Sequence, residues 1–159
     1  MVASPSTSPR AIKVFYSYAH RDEPLRTELD KHLSSLRREG VIAGWHDRRI
    51  MAGTEWAGAI DAHLQRAQII LLLVSADFLA SDYCYDVELQ RAMARHEAGE
   101  ARVIPIILRA VDWQYAPFDT LQALPQDGRP ITSWPNQDEA FLDVARGIRA
   151  VAEEIALHP

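Results

Sequence analysis

The sequence predicts a doubly wound α/β domain of the flavodoxin-like class, with five parallel strands in the order 2-1-3-4-5 and helices on both faces. Two observations support this prediction. Short apolar runs alternate with amphipathic stretches along the chain, which is typical of successive β/α units. Two of those runs are apolar at almost every position, as expected for strands that helices cover on both faces.

The five predicted strands are the apolar runs in chain order, Ile12 to Tyr16, Val41 to Trp45, Ile69 to Val74, Val103 to Leu108 and Pro130 to Thr132. Pro105 lies inside the fourth run and cannot donate a ladder hydrogen bond. Such a proline usually marks an edge or a bulge, so we keep the strand but expect weaker hydrogen-bond pairing in its interior.

Helices are predicted between these runs from apolar residues at three- and four-residue spacing. A leucine stripe from Leu25 to Leu36 indicates one helix, which Asp22 caps and Gly40 ends. Further helices are expected from Thr54, after Asp82, and from Asn136, which forms a capping pair with Glu139.

Size and composition limit the classes of function. The 159 residues suit one domain, which we expect over residues 11–157, behind a flexible polar lead of residues 1–10. A net charge of −5 without a basic stripe argues against nucleic-acid binding. The apolar runs are too short for a bilayer and no signal peptide is evident, so a cytoplasmic protein without membrane contact is expected. One cysteine and histidines scattered without ligand spacing argue against a metal site.

The predicted strand order opens a crevice between the carboxyl ends of strands 1 and 3, where ligands of open α/β sheets bind. Ser17, Tyr18 and His20 follow strand 1, and Ser75 and Asp77 follow strand 3. Tyr18 and His20 either line a pocket or are exposed residues at a strand end. The segment from Phe78 to Glu88 continues towards the same rim, and Cys84 and Glu88 share a helix face within it. A solvated carboxylate is the ordinary expectation for Glu88, because glutamate is almost never buried without a partner.

Four segments occur in a characteristic order, Val14 to Glu23, Trp45 to Trp56, Ser81 to Glu88 and Val103 to Leu108. With them the chain, from Ile12 to about Ile155, resembles the TIR domain family and especially its bacterial branch. Val14 to Glu23 is similar to the family's first box, and Trp45 to Trp56 is similar to the loop after its second strand. Ser81 to Glu88 resembles the segment that holds the catalytic glutamate of NAD-cleaving members. Val103 to Leu108, proline included, is similar to the fourth strand.

The resemblance implies an NAD⁺ nucleosidase that releases nicotinamide by hydrolysis or cyclisation, of the kind used in bacterial immune defence. It implies that Glu88 is the catalytic residue, and that NAD⁺ is a substrate and not a cofactor. The substrate-binding candidates are Ser17, Tyr18, His20, Ser75, Asp77, Tyr83, Cys84 and Tyr85. One departure is Cys84, which stands four residues before Glu88, where NAD-cleaving members commonly carry tryptophan. A single carboxylate suits this chemistry, because nicotinamide leaves as a neutral molecule and needs no general acid.

In the family, the loop after the second strand mediates contacts between TIR domains. The resemblance therefore implies self-association, as a homo-oligomer or filament, and further domains of a longer chain are a second class of partner that stays open. The loop candidates are Asp47, Arg48, Arg49, Ile50, Met51 and Gly53. Two other functions stay open at this stage. One is a non-catalytic TIR adaptor that binds other proteins. The other is a phosphoacceptor receiver domain, which is disfavoured because strand 1 runs into Ser17 and Tyr18 instead of acidic residues.

Overall fold

The computed structural model describes residues 11–45 and 62–158. Within these ranges, four strands form one sheet in the order β2-β1-β3-β4, and every neighbouring pair is parallel. The strands are β1 (Ile12–Ser17), β2 (Ile42–Trp45), β3 (Ile69–Val74) and β4 (Arg102–Ile107). The predicted α/β class and the predicted order of the first four strands are confirmed.

The helices pack on both faces of this sheet. They are α1 (Glu23–His32), α2 (Ser34–Arg38), α3 with residues 62–66 described, α4 (Ala76–Ala80), a π-helix (Tyr83–Leu89), α5 (Gln90–Glu97) and α6 (Gln137–Leu157). The predicted leucine helix is thus divided at Leu33 into two helices. Asn136 caps α6 as predicted, because its side chain accepts hydrogen bonds from the backbone N–H groups of Asp138 and Glu139.

The prediction of a fifth strand at residues 130–132 is wrong. Ile131–Ser133 forms a 3₁₀-helix instead, and only the Thr132 N–H reaches the end of β4, where it donates to the Leu108 carbonyl at 3.1 Å. Pro130 lacks the N–H group that a strand ladder needs. The place beside β4 is taken by a single bridge residue, Leu124, which pairs with Ile106.

Pro105 is accommodated because β4 lies at the edge of the described sheet. The Pro105 carbonyl accepts a hydrogen bond from Leu124 N at 2.9 Å, and the N–H of Ile107 donates to the Leu124 carbonyl at 2.8 Å. Pro105 and Ile107 therefore direct their backbone groups away from β3, because the N–H and C=O of a strand residue point to the same side. The missing N–H of Pro105 therefore removes no bond to β3, and the predicted strand pairs with β3 along its whole length. Its edge position differs from the predicted order, in which a fifth strand lies beside it.

The core consists of two hydrophobic clusters, one on each face of the sheet. The first packs residues such as Val14 and Tyr16 against α1, α2 and α6. The second packs residues such as Phe15 and Ile70 against the π-helix and α5. Since side chains alternate along a strand, Ser17 faces the π-helix, two positions after Phe15. The fold therefore directs a serine at the end of a central strand towards the segment that carries Glu88.

Candidate active site

The carboxylate of Glu88 is buried at the carboxyl end of β1. Glu88 is only 5% exposed, and its Oε1 accepts a 2.8 Å hydrogen bond from the hydroxyl of Ser17. Ser17 is the last residue of β1 and is fully buried. The ordinary expectation of a solvated helix carboxylate is therefore wrong for Glu88. A buried carboxylate needs hydrogen-bond donors, and β1 supplies one.

The π-helix brings Cys84 and Glu88 to the same side, against the end of β1. The Cys84 thiol donates to the backbone carbonyl of Tyr18 at 3.4 Å, and Cys84 is buried like Glu88. Tyr83 and Tyr85 are half-buried and pack against the second cluster. π-Helical turns are rare and occur frequently at functional sites. At the position four residues before Glu88, this π-helix carries the thiol of Cys84 and no aromatic ring.

The ring of Tyr18 lies on the opposite face of the sheet from Glu88. It belongs to the first cluster, its hydroxyl donates to the carboxylate of Glu23, and the guanidinium of Arg26 lies 5.7 Å from its ring centroid. Tyr18 therefore contributes its backbone carbonyl to the Glu88 side and directs its ring elsewhere. His20 is exposed at the start of a 3₁₀-helix, His20–Asp22.

Asp22 does not cap α1 as the sequence predicts. Its side chain makes no capping hydrogen bond, and it is turned inward with 2% exposure. There its carboxylate accepts hydrogen bonds from the hydroxyl of Ser75 and from the Nε of Arg109, the latter at 3.0 Å. A capping aspartate and a buried ion-pair partner have the same sequence signature, because both stand just before a helix.

Arg109 joins two carboxylates at the ends of β1 and β3. Besides Asp22, it pairs with Asp77, and the hydrogen bond to Asp77 followed by the charge of Asp22 raises the pKa of the guanidinium. Ser75 also accepts the N–H of Phe78 at 3.1 Å and so caps α4. We call Asp22, Ser75, Asp77 and Arg109 the Arg109 cluster. Two predicted site residues, Ser75 and Asp77, belong to this cluster and have no described hydrogen bond to Glu88.

Arg109 was not a candidate in the sequence, although one signal pointed to it. Asp22 and Asp77 both follow strands whose carboxyl ends meet at one edge of the sheet, and acidic side chains buried there require a cation. Arg109 is the first basic residue after β4. The strand order therefore indicates that Arg109 lies near Asp22 and Asp77, but the residues around Arg109 in the sequence do not.

Several predicted features fall outside the described residues. These are the N-terminal lead at residues 1–10 and the loop candidates Asp47, Arg48, Arg49, Ile50, Met51 and Gly53. Among the residues that the structure describes, no group of three or more histidine, cysteine or acidic side chains is arranged to hold a metal ion. The described helices include none with the length and apolar character needed to cross a membrane.

The fold and its buried carboxylate define a doubly wound α/β domain with acidic groups at the carboxyl end of a parallel sheet. Residues 14–141 match the family model described as TIR domain, and the chain belongs to the TIR domain family. A curated relative is the uncharacterized protein y4lF of Sinorhizobium fredii (strain NBRC 101917 / NGR234), which is 63% identical over 142 residues. That match covers 89% of this chain and 44% of the relative, so the chain spans less than half of that protein's length.

Two solved structures are similar in fold. The TIR domain of the Toll-related receptor TRR-2 from Hydra magnipapillata has a TM-score of 0.59 and 21% identity, over 86% of this chain and 97% of that one. The TIR domains of the activated Roq1 resistosome, which directly recognises the pathogen effector XopQ, have a TM-score of 0.52 and 20% identity, over 86% and 84% of the two chains. Identities at this level support the fold alone.

Proposed function

We propose that this TIR domain is an NAD⁺ nucleosidase in which Glu88 is the catalytic carboxylate. The observation that carries the proposal is that Glu88 is only 5% exposed and accepts a 2.8 Å hydrogen bond from the hydroxyl of Ser17. Burying a carboxylate costs free energy, and an adaptor that binds partners through its surface gains nothing from that cost. The likeness of Ser81 to Glu88 to the catalytic segment of NAD-cleaving relatives supports the same assignment.

The reaction requires little proton transfer. The bond between ribose C1′ and the nicotinamide nitrogen breaks, its electron pair stays on that nitrogen, and the positively charged pyridinium leaves as neutral nicotinamide. The ribose becomes an oxocarbenium-like cation. A carboxylate that is already oriented stabilises this charge without having to reorganise during the reaction. Such preorganised electrostatic stabilisation is usually the largest contribution to enzymatic rate enhancement. Water then adds to C1′ and loses a proton to give ADP-ribose, or a nucleophile of the substrate adds to give a cyclic product.

We propose that self-association controls this activity. The TIR domains of the Roq1 structure belong to an activated resistosome, and the S. fredii relative carries this domain within a chain more than twice as long. Other copies of the domain are therefore the partners, and the loop at residues 47–53 is the proposed contact. A role in bacterial immune signalling follows from the same family resemblance.

The test is nicotinamide release from NAD⁺ by the concentrated chain, followed by chromatography. Glu88→Gln preserves size and removes the charge, and we expect it to lower the rate by about 10²-fold or more. Asp86→Asn is the matched control, because Asp86 is exposed on the same π-helix and should leave the rate unchanged. Circular dichroism and thermal unfolding establish that both variants fold. Equal rates for wild type and Glu88→Gln, or no release at concentrations where light scattering detects oligomers, would favour the non-catalytic adaptor.

A further inference from the structure

A cavity lies at the opposite end of β1 from Glu88. Its volume is about 220 Å³, and it is bounded by Val14, Ala43 and Gly44 on the strands and by three basic side chains, Lys13, His63 and Arg66. We call it the Lys13 pocket. Lys13 and Ser17 are four residues apart on β1, which separates the two sites by roughly 13 Å along the strand.

Two hydrogen bonds join Gln68, which follows α3, to the backbone of Lys13. The N–H of Gln68 donates to the Lys13 carbonyl at 2.8 Å, and the N–H of Lys13 donates to Gln68 Oε1 at 3.1 Å. His63 and Arg66 are three residues apart and so share a face of α3. The position of the basic side chains therefore follows from a fixed connection between α3 and β1.

Among the described residues that line this cavity, the charged side chains are basic and none is acidic, in a chain whose net charge is −5. Within residues 11–45 and 62–158, the side chains of Lys13 and Arg66 form no ion pair with a carboxylate. Burial, then the charges of Arg66 and Lys13, lowers the pKa of His63. Arg66 and Lys13 thus both act on His63 through their charge, and all three side chains line one cavity, where an anion would be attracted to the cations.

We propose that the Lys13 pocket binds an oxyanion of the phosphate class, either inorganic phosphate or the phosphate end of a small molecule. The ammonium of Lys13 and the forked guanidinium of Arg66 are the groups that proteins use to bind phosphate oxygens. The volume lies below the range of about 300–1,000 Å³ typical of pockets for whole drug-sized ligands. A phosphate group fits this size, and a bulkier attached group would remain outside.

The experiment is a titration of the ¹⁵N-labelled chain with inorganic phosphate at constant ionic strength, followed through the amide resonances of Ala43 and Gly44. We expect a saturable shift, and roughly tenfold weaker binding in both Lys13→Gln and Arg66→Gln. Arg146→Gln is the control, because Arg146 is exposed on α6, which packs on the other face. A response that does not saturate, or that weakens equally in Arg146→Gln, would overturn the proposal.

A pair of variants at Ala43 tests the charge requirement without removing a basic residue. Ala43 is exposed and is the Cα partner of Lys13 in the sheet, so a longer side chain there reaches the pocket. Ala43→Glu supplies an internal carboxylate and should abolish phosphate binding, whereas the neutral Ala43→Gln should retain it. Equal loss in both variants would overturn the proposal.

A parallel titration with AMP distinguishes the two sources of the phosphate. Tighter binding of AMP than of phosphate identifies the phosphate end of a nucleotide as the ligand, and tighter binding of phosphate identifies the inorganic ion. If the same amides shift with protein concentration in the absence of phosphate, the pocket receives an acidic side chain of a second copy, which would overturn the proposal.

Discussion

The hydroxyl of Ser17 donates a hydrogen bond of 2.8 Å to Oε1 of Glu88, joining the end of β1 to the π-helix across 71 positions of sequence. Both side chains are buried. A hydrogen bond to a charged acceptor is stronger than a neutral one, and this bond fixes the direction of the carboxylate. The central strand of the sheet, and not the helix alone, therefore orients the proposed catalytic group.

Ser17→Ala should lower kcat for nicotinamide release by about tenfold to 100-fold and change KM less. The reason is that a lost hydrogen bond to a charged group is worth roughly 1.5–3 kcal/mol, and this one orients a carboxylate needed chiefly in the transition state. Steady-state kinetics on NAD⁺ measure both constants. Ser35→Ala is the control, because Ser35 is exposed on α2 and should leave kcat unaltered. An unchanged kcat in Ser17→Ala would show that the hydrogen bond does not prepare Glu88 for catalysis.

Asn136→Ala should destabilise the fold by about 1 kcal/mol, which is typical for the loss of a helix cap. The Asn136 side chain accepts the N–H groups of Asp138 at 2.9 Å and Glu139 at 3.3 Å, and alanine leaves both without that acceptor. Urea unfolding measures the change. Asn136→Asp keeps an acceptor oxygen and should remain close to wild type. If both variants lose the same stability, the cap is not the cause.

The features that the sequence predicts correctly are local. Gly40 ends a helix with φ of 75°, a conformation that glycine adopts without strain, and Asn136 caps the last helix. The apolar runs of four strands are equally local, and their order follows from general rules for right-handed crossovers. Apart from the strand order, each of these predictions depends on residues a few positions apart.

The features that the sequence does not predict depend on distant partners. Asp22 turns away from its helix because Ser75 and Arg109, 53 and 87 positions further along the chain, supply better donors. Residues 130–132 fail to form a strand because Leu124 already occupies the edge of β4. The burial of Glu88 likewise needs Ser17. Periodicity alone favours an exposed Glu88, and only the family resemblance pointed to a functional one.

Loss of His63 should alter how stability depends on pH. Burial, then the charges of Arg66 and Lys13, lowers the pKa of His63 from its ordinary 6.5 in the folded state. Between the lowered pKa and 6.5 the unfolded chain binds more protons, so the folded state loses stability as pH falls through this window and is unaffected above it. In phosphate-free buffer, the free energy of unfolding of His63→Gln should therefore decline less than that of wild type below pH 6.5.

The control for that experiment is His158→Gln, which also removes one histidine but at an exposed position beyond α6. Urea titrations at a series of pH values measure all three proteins. Parallel curves for wild type and His63→Gln would contradict the assignment of this pH dependence to His63.

Arg109→Gln should destabilise the domain by about 2 kcal/mol, because it leaves the carboxylate of Asp22, which is 2% exposed, without its cation. Breaking a fully buried ion pair costs about 3–5 kcal/mol, and the smaller figure applies because the Arg109 side chain is 36% exposed to screening by water. Arg109→Lys keeps the charge but not the fork that contacts Asp22 and Asp77, so an intermediate loss is expected.

Two controls distinguish the effect of leaving a buried charge unpaired from the effect of removing any arginine. One is a variant in an exposed ion pair, and the other is a double variant. Arg102 pairs with Glu154 at 3.4 Å where the side chains are 39% and 58% exposed, so Arg102→Gln should change the free energy of unfolding by less than about 0.5 kcal/mol. Adding Asp22→Asn to Arg109→Gln removes the uncompensated charge and should recover part of the stability. Two results would contradict a stabilising role for the charges of the Arg109 cluster. One is a loss of unfolding free energy in Arg109→Gln no larger than that in Arg102→Gln. The other is a loss in the double variant equal to the sum of the losses in Arg109→Gln and Asp22→Asn.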